Sequence, residues 1–384
     1  MKNLLFLSLV LFAFLNINGC SSDNSGDSNW EIDISNLSSI DNPGDWIIVH
    51  ELSDSDGLNP YTSTGAGGTY IYSKNIFESM LVQDNITLEY IPLIAKEKPL
   101  ISNDKLVYTF QLRDDVYFSD GNKLTADDII FTLKAIKNPF TDAAPMRNYY
   151  KDVAMAELIN EDPYKIKFTC SEVYFKHEIF IGAELNILPR HIYDPNDYMS
   201  NYTFAQLDEL FDILTNADKG IEEFDNEPAY KFAQLFNSHE FSRNPVGSGP
   251  YVFKEWRTDD RVVLEKNERY WNKGEMLSFN LIDKLVFKTV KQHDAALTGL
   301  KAQEIDLIRS LPPELFFNQT NSNKFNINNS KNSFYYPNYS YIGWNNEHPI
   351  FKDKRVRKAM THLCNRDKII EILYYGEAKP AIGN

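Results

Sequence analysis

The 384-residue chain is 43% hydrophobic and 24% charged, the balance of a soluble globular protein long enough for two domains or one large one. Its 54 acidic against 39 basic side chains leave a formal charge of −15, which repels a phosphate backbone and sets nucleic acid aside as a partner. The acidity itself reads as a means of staying soluble.

Residues 1–19 read as an export signal outside the fold. Lys2 gives a minimal basic start, and the apolar run Leu4–Leu15 is broken only by Ser8. That run is shorter than the roughly 20 residues a bilayer-spanning helix needs. It ends at Ile17-Asn18-Gly19-Cys20, which resembles a bacterial lipobox. The resemblance implies a lipid on Cys20. Residues 20–29 then read as the lipidated N-terminus and a flexible polar tether.

Trp46–His50 reads as a buried strand and leads through Leu58-Asn59-Pro60 to a glycine-rich loop, Gly65-Ala66-Gly67-Gly68. Such a loop either lets backbone approach a ligand closely or is a flexible turn. Tyr72–Leu81 has helical spacing, with Ile76, Phe77 and Met80 on one face. Tyr108, Phe110 and Leu112 alternate with polar residues as a strand with one buried face. Thr125 and Asp128 have the spacing of a capping box, and apolar residues from Ala126 to Ile136 keep helical period until Asn138-Pro139.

Lys165–Thr169 is a further strand, and Phe204 to Leu214 is an amphipathic helix. Gly247-Ser248-Gly249-Pro250 makes a sharp turn, expected to expose backbone N–H groups at a cleft. The turn feeds strand Tyr251–Trp256, turn residues Thr258-Asp259-Asp260 and a returning strand Arg261–Lys266. Strands follow at Ile282–Val290, Glu304–Ile308 and Tyr339–Trp344, with a helix at Ala295–Leu300. Asp353 caps a helix with Val356, Ala359, Met360 and Leu363 inward, and a second helical stretch carries Ile369, Ile370 and Leu373.

Catalytic chemistry finds no foothold. His177-Glu178 lacks a second histidine four residues on, and Gly247-Ser248-Gly249 lacks the spacing of a nucleophile elbow. The seven histidines are scattered, and paired carboxylates such as Asp127-Asp128 and Asp259-Asp260 sit at helix starts and turns. No cofactor fingerprint or metal spacing appears, and Cys170 and Cys364 read as unpaired thiols. Aromatics are plentiful, at 25 Phe, 22 Tyr and 5 Trp. A binding site would draw on those beside glycine turns and strand ends: Tyr70, Tyr149, Tyr251 and Trp344.

Three ordered blocks carry a family resemblance. The first is Tyr108–Arg113 with Phe118-Ser119-Asp120-Gly121 and Leu124–Asp128. The second is Asn244–Tyr251 running on to Asn267-Glu268-Arg269-Tyr270-Trp271. The third holds Asn345, Pro349, Phe351, Asp353, Arg355-Val356-Arg357, Ala359, Asn365-Arg366 and Gly376. Together they resemble the peptide/nickel-type extracellular solute-binding proteins of bacterial ABC importers. Ser248 stands where threonine is usual, and Asn365 where aspartate is.

The resemblance implies an α/β, periplasmic-binding-protein-like fold of two lobes with an extra variable subdomain. Lobe I would comprise residues 30–62 and 186–288, the variable subdomain 63–185, and an incomplete lobe II 289–384. The chain would be a C-terminally truncated member, with further ligand-anchoring residues beyond its end. It implies no catalytic residue, cofactor or metal. Oligopeptide would be held by Gly67, Thr69, Tyr70, Tyr149, Ser248, Trp344 and Asn345 between the lobes and passed to a membrane permease by a monomeric, lipid-anchored protein of the cell envelope. Within the same fold the ligand could be an oligosaccharide or a nickel chelate. A secreted lipoprotein hydrolase is the reading from another class, and it needs a serine or carboxylate dyad that the sequence does not show.

Overall fold

The computed structural model describes residues 45–72, 74–84, 87–216, 221–238, 242–272, 282–333 and 339–381. The expected export signal, Cys20 and the tether lie outside these residues. The chain divides into two compact units between Lys291 and Gln292.

Over its described residues, from Asp45 on, the first unit contains ten strands: β1 (Trp46–Glu51), β2 (Leu81–Gln83), β3 (Tyr90–Pro92), β4 (Leu100–Ile101), β5 (Val107–Gln111), β6 (Val153–Ile159), β7 (Asp162–Cys170), β8 (Tyr251–Arg257), β9 (Arg261–Lys266) and β10 (Lys284–Thr289). They form two four-stranded sheets, in the orders β1-β10-β9-β8 and β4-β5-β7-β6, and the pair β2-β3. β1 runs parallel to β10, with Ile47 opposite Leu285 and Val49 opposite Phe287. All four of these side chains are buried, so the alternation of the strands turns one face of the sheet into core. β8 and β9 form the expected hairpin around Thr258–Asp260, and Asp259 takes a left-handed φ of 60°.

In the second sheet β5 pairs with β7, and Phe110 meets Phe168 edge-on at 5.9 Å between ring centroids. Each of these rings is fully buried and contributes about 2–3 kcal/mol through that burial. The helix Ala126–Lys137 packs across β6 and β7. The Asp128 carboxylate accepts from Thr125 N at 2.9 Å and Thr125 Oγ1 at 3.1 Å, and its other oxygen accepts from Arg190 N at 2.9 Å. One side chain therefore starts the helix and ties it to the segment entering the helix Arg190–Tyr193.

The second unit is helical over its described residues, with helices His293–Lys301, Pro313–Asn318, Asn323–Asn328, Lys354–Leu363 and Arg366–Leu373. Its buried apolar cluster is Leu297, Leu315 and Phe325. Asp353 caps its helix as expected, accepting from Arg355 N at 2.8 Å.

Four expectations are corrected. The helix read over Tyr72–Leu81 lies instead at Ala66–Tyr72, and the chain then turns and enters β2. Ile76, Phe77 and Met80 are buried all the same, so apolar spacing marked core rather than helix. Glu304–Ile308 and Tyr339–Trp344 are not strands. The inward face read for the last two helices is not covered: neither helix holds a buried residue, and Leu363 is 77% exposed.

Candidate solute-binding site

The Gly247-Ser248-Gly249 turn lies inside the first unit. Gly249 N donates to Ile76 O and Tyr251 N to Asn75 O, both at 2.9 Å, while Gly247 O accepts from Ser119 N at 2.9 Å. A Cβ on Gly247 would stand 2.0 Å from Ile76 O, and one on Gly249 would stand 2.5 Å from Asn75 O. The glycines are therefore needed for contact between two backbones, and the expectation that the turn offers its N–H groups to a cleft is corrected. Ser248 is 0% exposed. Tyr251, grouped with the cleft aromatics, is buried too, and its hydroxyl donates to Ile282 O at 3.0 Å.

Beneath this turn is a polar centre that the sequence reading missed. Glu78 is buried, and its carboxylate accepts from Tyr270 Oη at 2.7 Å and from Trp271 Nε1 at 2.9 Å. Burial raises its pKa to about 7, and the two hydrogen bonds moderate that rise. The Ser248 hydroxyl also faces the carboxylate, at a geometry short of a hydrogen bond. Asn267 closes the arrangement by donating through Nδ2 to Gly249 O at 2.9 Å, and the Arg113 guanidinium covers the Trp271 ring at 4.7 Å. A signal was present: Glu78 is the only acid in the apolar stretch Ile76–Leu81.

The glycine-rich segment, expected as a loop, instead opens the helix Ala66–Tyr72, and Asp56 orders the residues that lead into it. Its carboxylate accepts from Ser63 Oγ at 2.6 Å, from Thr64 N at 2.8 Å and Oγ1 at 2.7 Å, and from Gly65 N at 2.9 Å. Burial works against the charge, but these hydrogen bonds outweigh it and hold the pKa at about 2. Gly68 is required because its Cβ would lie 2.4 Å from Gly57 O. Gly67 is buried and Thr69 is exposed, with Thr69 Oγ1 at 3.1 Å from Tyr72 Oη. The Tyr70 side chain lies outside what is described.

Tyr149 is 45% exposed and packs on Phe180, with centroids 4.7 Å apart. Among the described residues no hydrogen bond or ring contact joins it to Thr69. In the second unit Trp344 is half-buried against Phe351 at 5.2 Å, and the exposed Asn345 accepts from Glu347 N at 3.0 Å. An open groove of about 460 Å³ lies elsewhere on the first unit, lined by residues that include Asn122, Asp127, Arg190, His191 and Asp197. Its charges pair locally, Arg190 with Asp197 and His191 with Asp120, so it reads as a solvated face.

A sequence profile of the bacterial extracellular solute-binding proteins, family 5 (middle) matches residues 89–383. The chain belongs to this family. Among family 5 relatives, the oligopeptide-binding protein AppA of Bacillus subtilis is 25% identical over 390 residues, spanning 98% of this chain and 60% of that protein. The periplasmic oligopeptide-binding protein OppA of Escherichia coli is 24% identical, over 88% of this chain and 56% of that one. The structure of AppA from Bacillus subtilis in complex with a nonapeptide superposes with a TM-score of 0.65 at 23% identity, covering 88% of this chain and 57% of that one. DppA from Helicobacter pylori in complex with the peptide STSA gives 0.64 at 21%, covering 90% and 61%. At these identities the superpositions show the family 5 fold. The chain spans little more than half the length of these family 5 proteins. Among the described residues no helix is long and apolar enough to cross a membrane, and no His, Cys, Asp and Glu group could hold a metal ion.

Proposed function

We propose that this protein is the exported solute-binding component of an ABC import system, and that it captures oligopeptides and delivers them unchanged to a membrane permease. The observation that carries the proposal is the family 5 match over residues 89–383, together with a relative named as an oligopeptide-binding protein that aligns over 98% of the chain. Family 5 is one of binding proteins, which supports a role without catalysis. Lipid on Cys20 would hold the protein, as a monomer, to the cell envelope. Lobes at 30–62 with 186–288 and at 289–384, and a variable subdomain at 63–185, belong to the same proposal.

Peptide would be received through backbone hydrogen bonds and aromatic contact. Gly67, Thr69, Tyr70, Tyr149, Trp344 and Asn345 are the proposed contact residues. Ser248, expected among them, is left out because its side chain is buried.

The test is calorimetric titration with mixed di- to nonapeptides, followed by chromatography of the recovered peptide. Saturable binding with intact peptide is expected. Cleavage of the peptide, or absence of any binding, overturns the proposal.

A further inference from the structure

A second titratable cluster lies away from Glu78, where the chain leaves β7. His177 opens the helix His177–Gly182 and is 1% exposed. Neither ring nitrogen has a hydrogen-bond partner among the described residues, yet Nε2 lies 3.6 Å from Oδ2 of Asp152, just before β6. Tyr108 of β5 meets the imidazole edge-on at 6.3 Å, and Tyr174 of the preceding loop does so at 5.5 Å.

Tyr174 is itself part of an aromatic row. Its ring stands 4.9 Å from Phe175, which is 79% exposed, and stacks on Phe180 at 6.1 Å, and Phe180 in turn carries Tyr149. Tyr174 thus packs between two side chains of the following helix, edge-on against His177 and stacked on Phe180.

The groups around the imidazole act in both directions: burial and its place at the start of a helix oppose a positive charge, and the Asp152 carboxylate favours one. Cys170, at the end of β7, has its thiol pushed up to about 11 by burial and then by the Asp152 charge, so it stays neutral. Tyr108 is also pushed up, first by burial and then by Cys170 and Glu178. Glu178, next on the helix, adds a second carboxylate. The neighbouring cations are Lys176, whose amino group sits over the Phe175 ring at 5.7 Å, and the buried Lys137, which donates to Val153 O at 2.9 Å beside Asp152 and pairs with Asp208 at 2.9 Å.

We propose that His177 and Asp152 form a proton-operated latch. A proton taken from solvent onto the imidazole closes the 3.6 Å separation into a charge-assisted hydrogen bond and pins Tyr174 and the row that leans on it. Loss of that proton releases the row. The consequence for ligand rests on the reading of Tyr149 as a contact residue, whereas the latch itself does not.

The test follows the His177 ring by NMR against pH in the 384-residue protein. In parallel, hydrogen-exchange protection factors are measured at residues 173–180 in the wild type, H177Q and D152N. A single step is expected, across which acidification raises protection several-fold. Both variants lose the step, D152N while keeping the His177 resonance. Protection independent of pH in the wild type, or the same step retained in D152N, overturns the latch. Peptide affinity measured on either side of the step reports separately on Tyr149: a change supports its place at the ligand, and constancy removes it from that site while the latch stands.

Discussion

At the scale of single residues, Glu78 shows how burial and hydrogen bonding divide the control of a charge. Tyr270 and Trp271 supply two donors, but the carboxylate is buried, and its pKa rises from 4.5 to about 7. The sign follows from linkage. The folded state keeps a proton that the unfolded chain releases above pH 4.5, so the stability tied to that proton is full below pH 4.5. It is lost as pH rises through about 7. Glu78→Gln is expected to remove this loss. The difference between wild-type and variant urea-denaturation curves should change by ~3 kcal/mol between pH 4.5 and 7.5. A flat difference would remove Glu78 from the account. A lone acid in an apolar run made this residue legible in principle, while its partners, 192 and 193 residues away, were not.

At the scale of elements, turn chemistry was readable and its purpose was not. The β8–β9 hairpin lies where Thr258-Asp259-Asp260 placed it, because a left-handed turn residue is a local requirement. The capping box at Thr125 and Asp128 was visible for the same reason. The glycines at 247 and 249 were visible too, but the Asn75–Ile76 backbone that demands them was not. That backbone also explains the misplaced helix, since the carbonyls of Asn75 and Ile76 are spent on the turn. Gly247→Ala brings a methyl to 2.0 Å from Ile76 O and is expected to cost at least about 3 kcal/mol by urea denaturation. A variant within about 0.5 kcal/mol of wild type would show that the two backbones can separate freely.

At the scale of the molecule, the two units differ in how much they bury. The first has two four-stranded sheets that each turn alternate residues into core, whereas the second gathers Leu297, Leu315 and Phe325 and leaves the helices Lys354–Leu363 and Arg366–Leu373 without a buried residue. Local opening costs least where few apolar contacts are broken. Hydrogen exchange read by mass spectrometry should therefore find residues 354–373 opening at ~0–2 kcal/mol, while β5 and β7 exchange only with global unfolding. Equal protection in both places would contradict this ordering.

The amino-acid sequence alone determined the family, through three ordered blocks, and the strands, turns and caps whose requirements reach only a few residues along the chain. Tertiary structure decided which of those residues face inward. It placed Ser248 and Tyr251 in the interior, set Glu78 under Tyr270 and Trp271, and put His177 beside Asp152. Burial is a property of what arrives from elsewhere in the chain, and a local pattern of residue types carries no record of it.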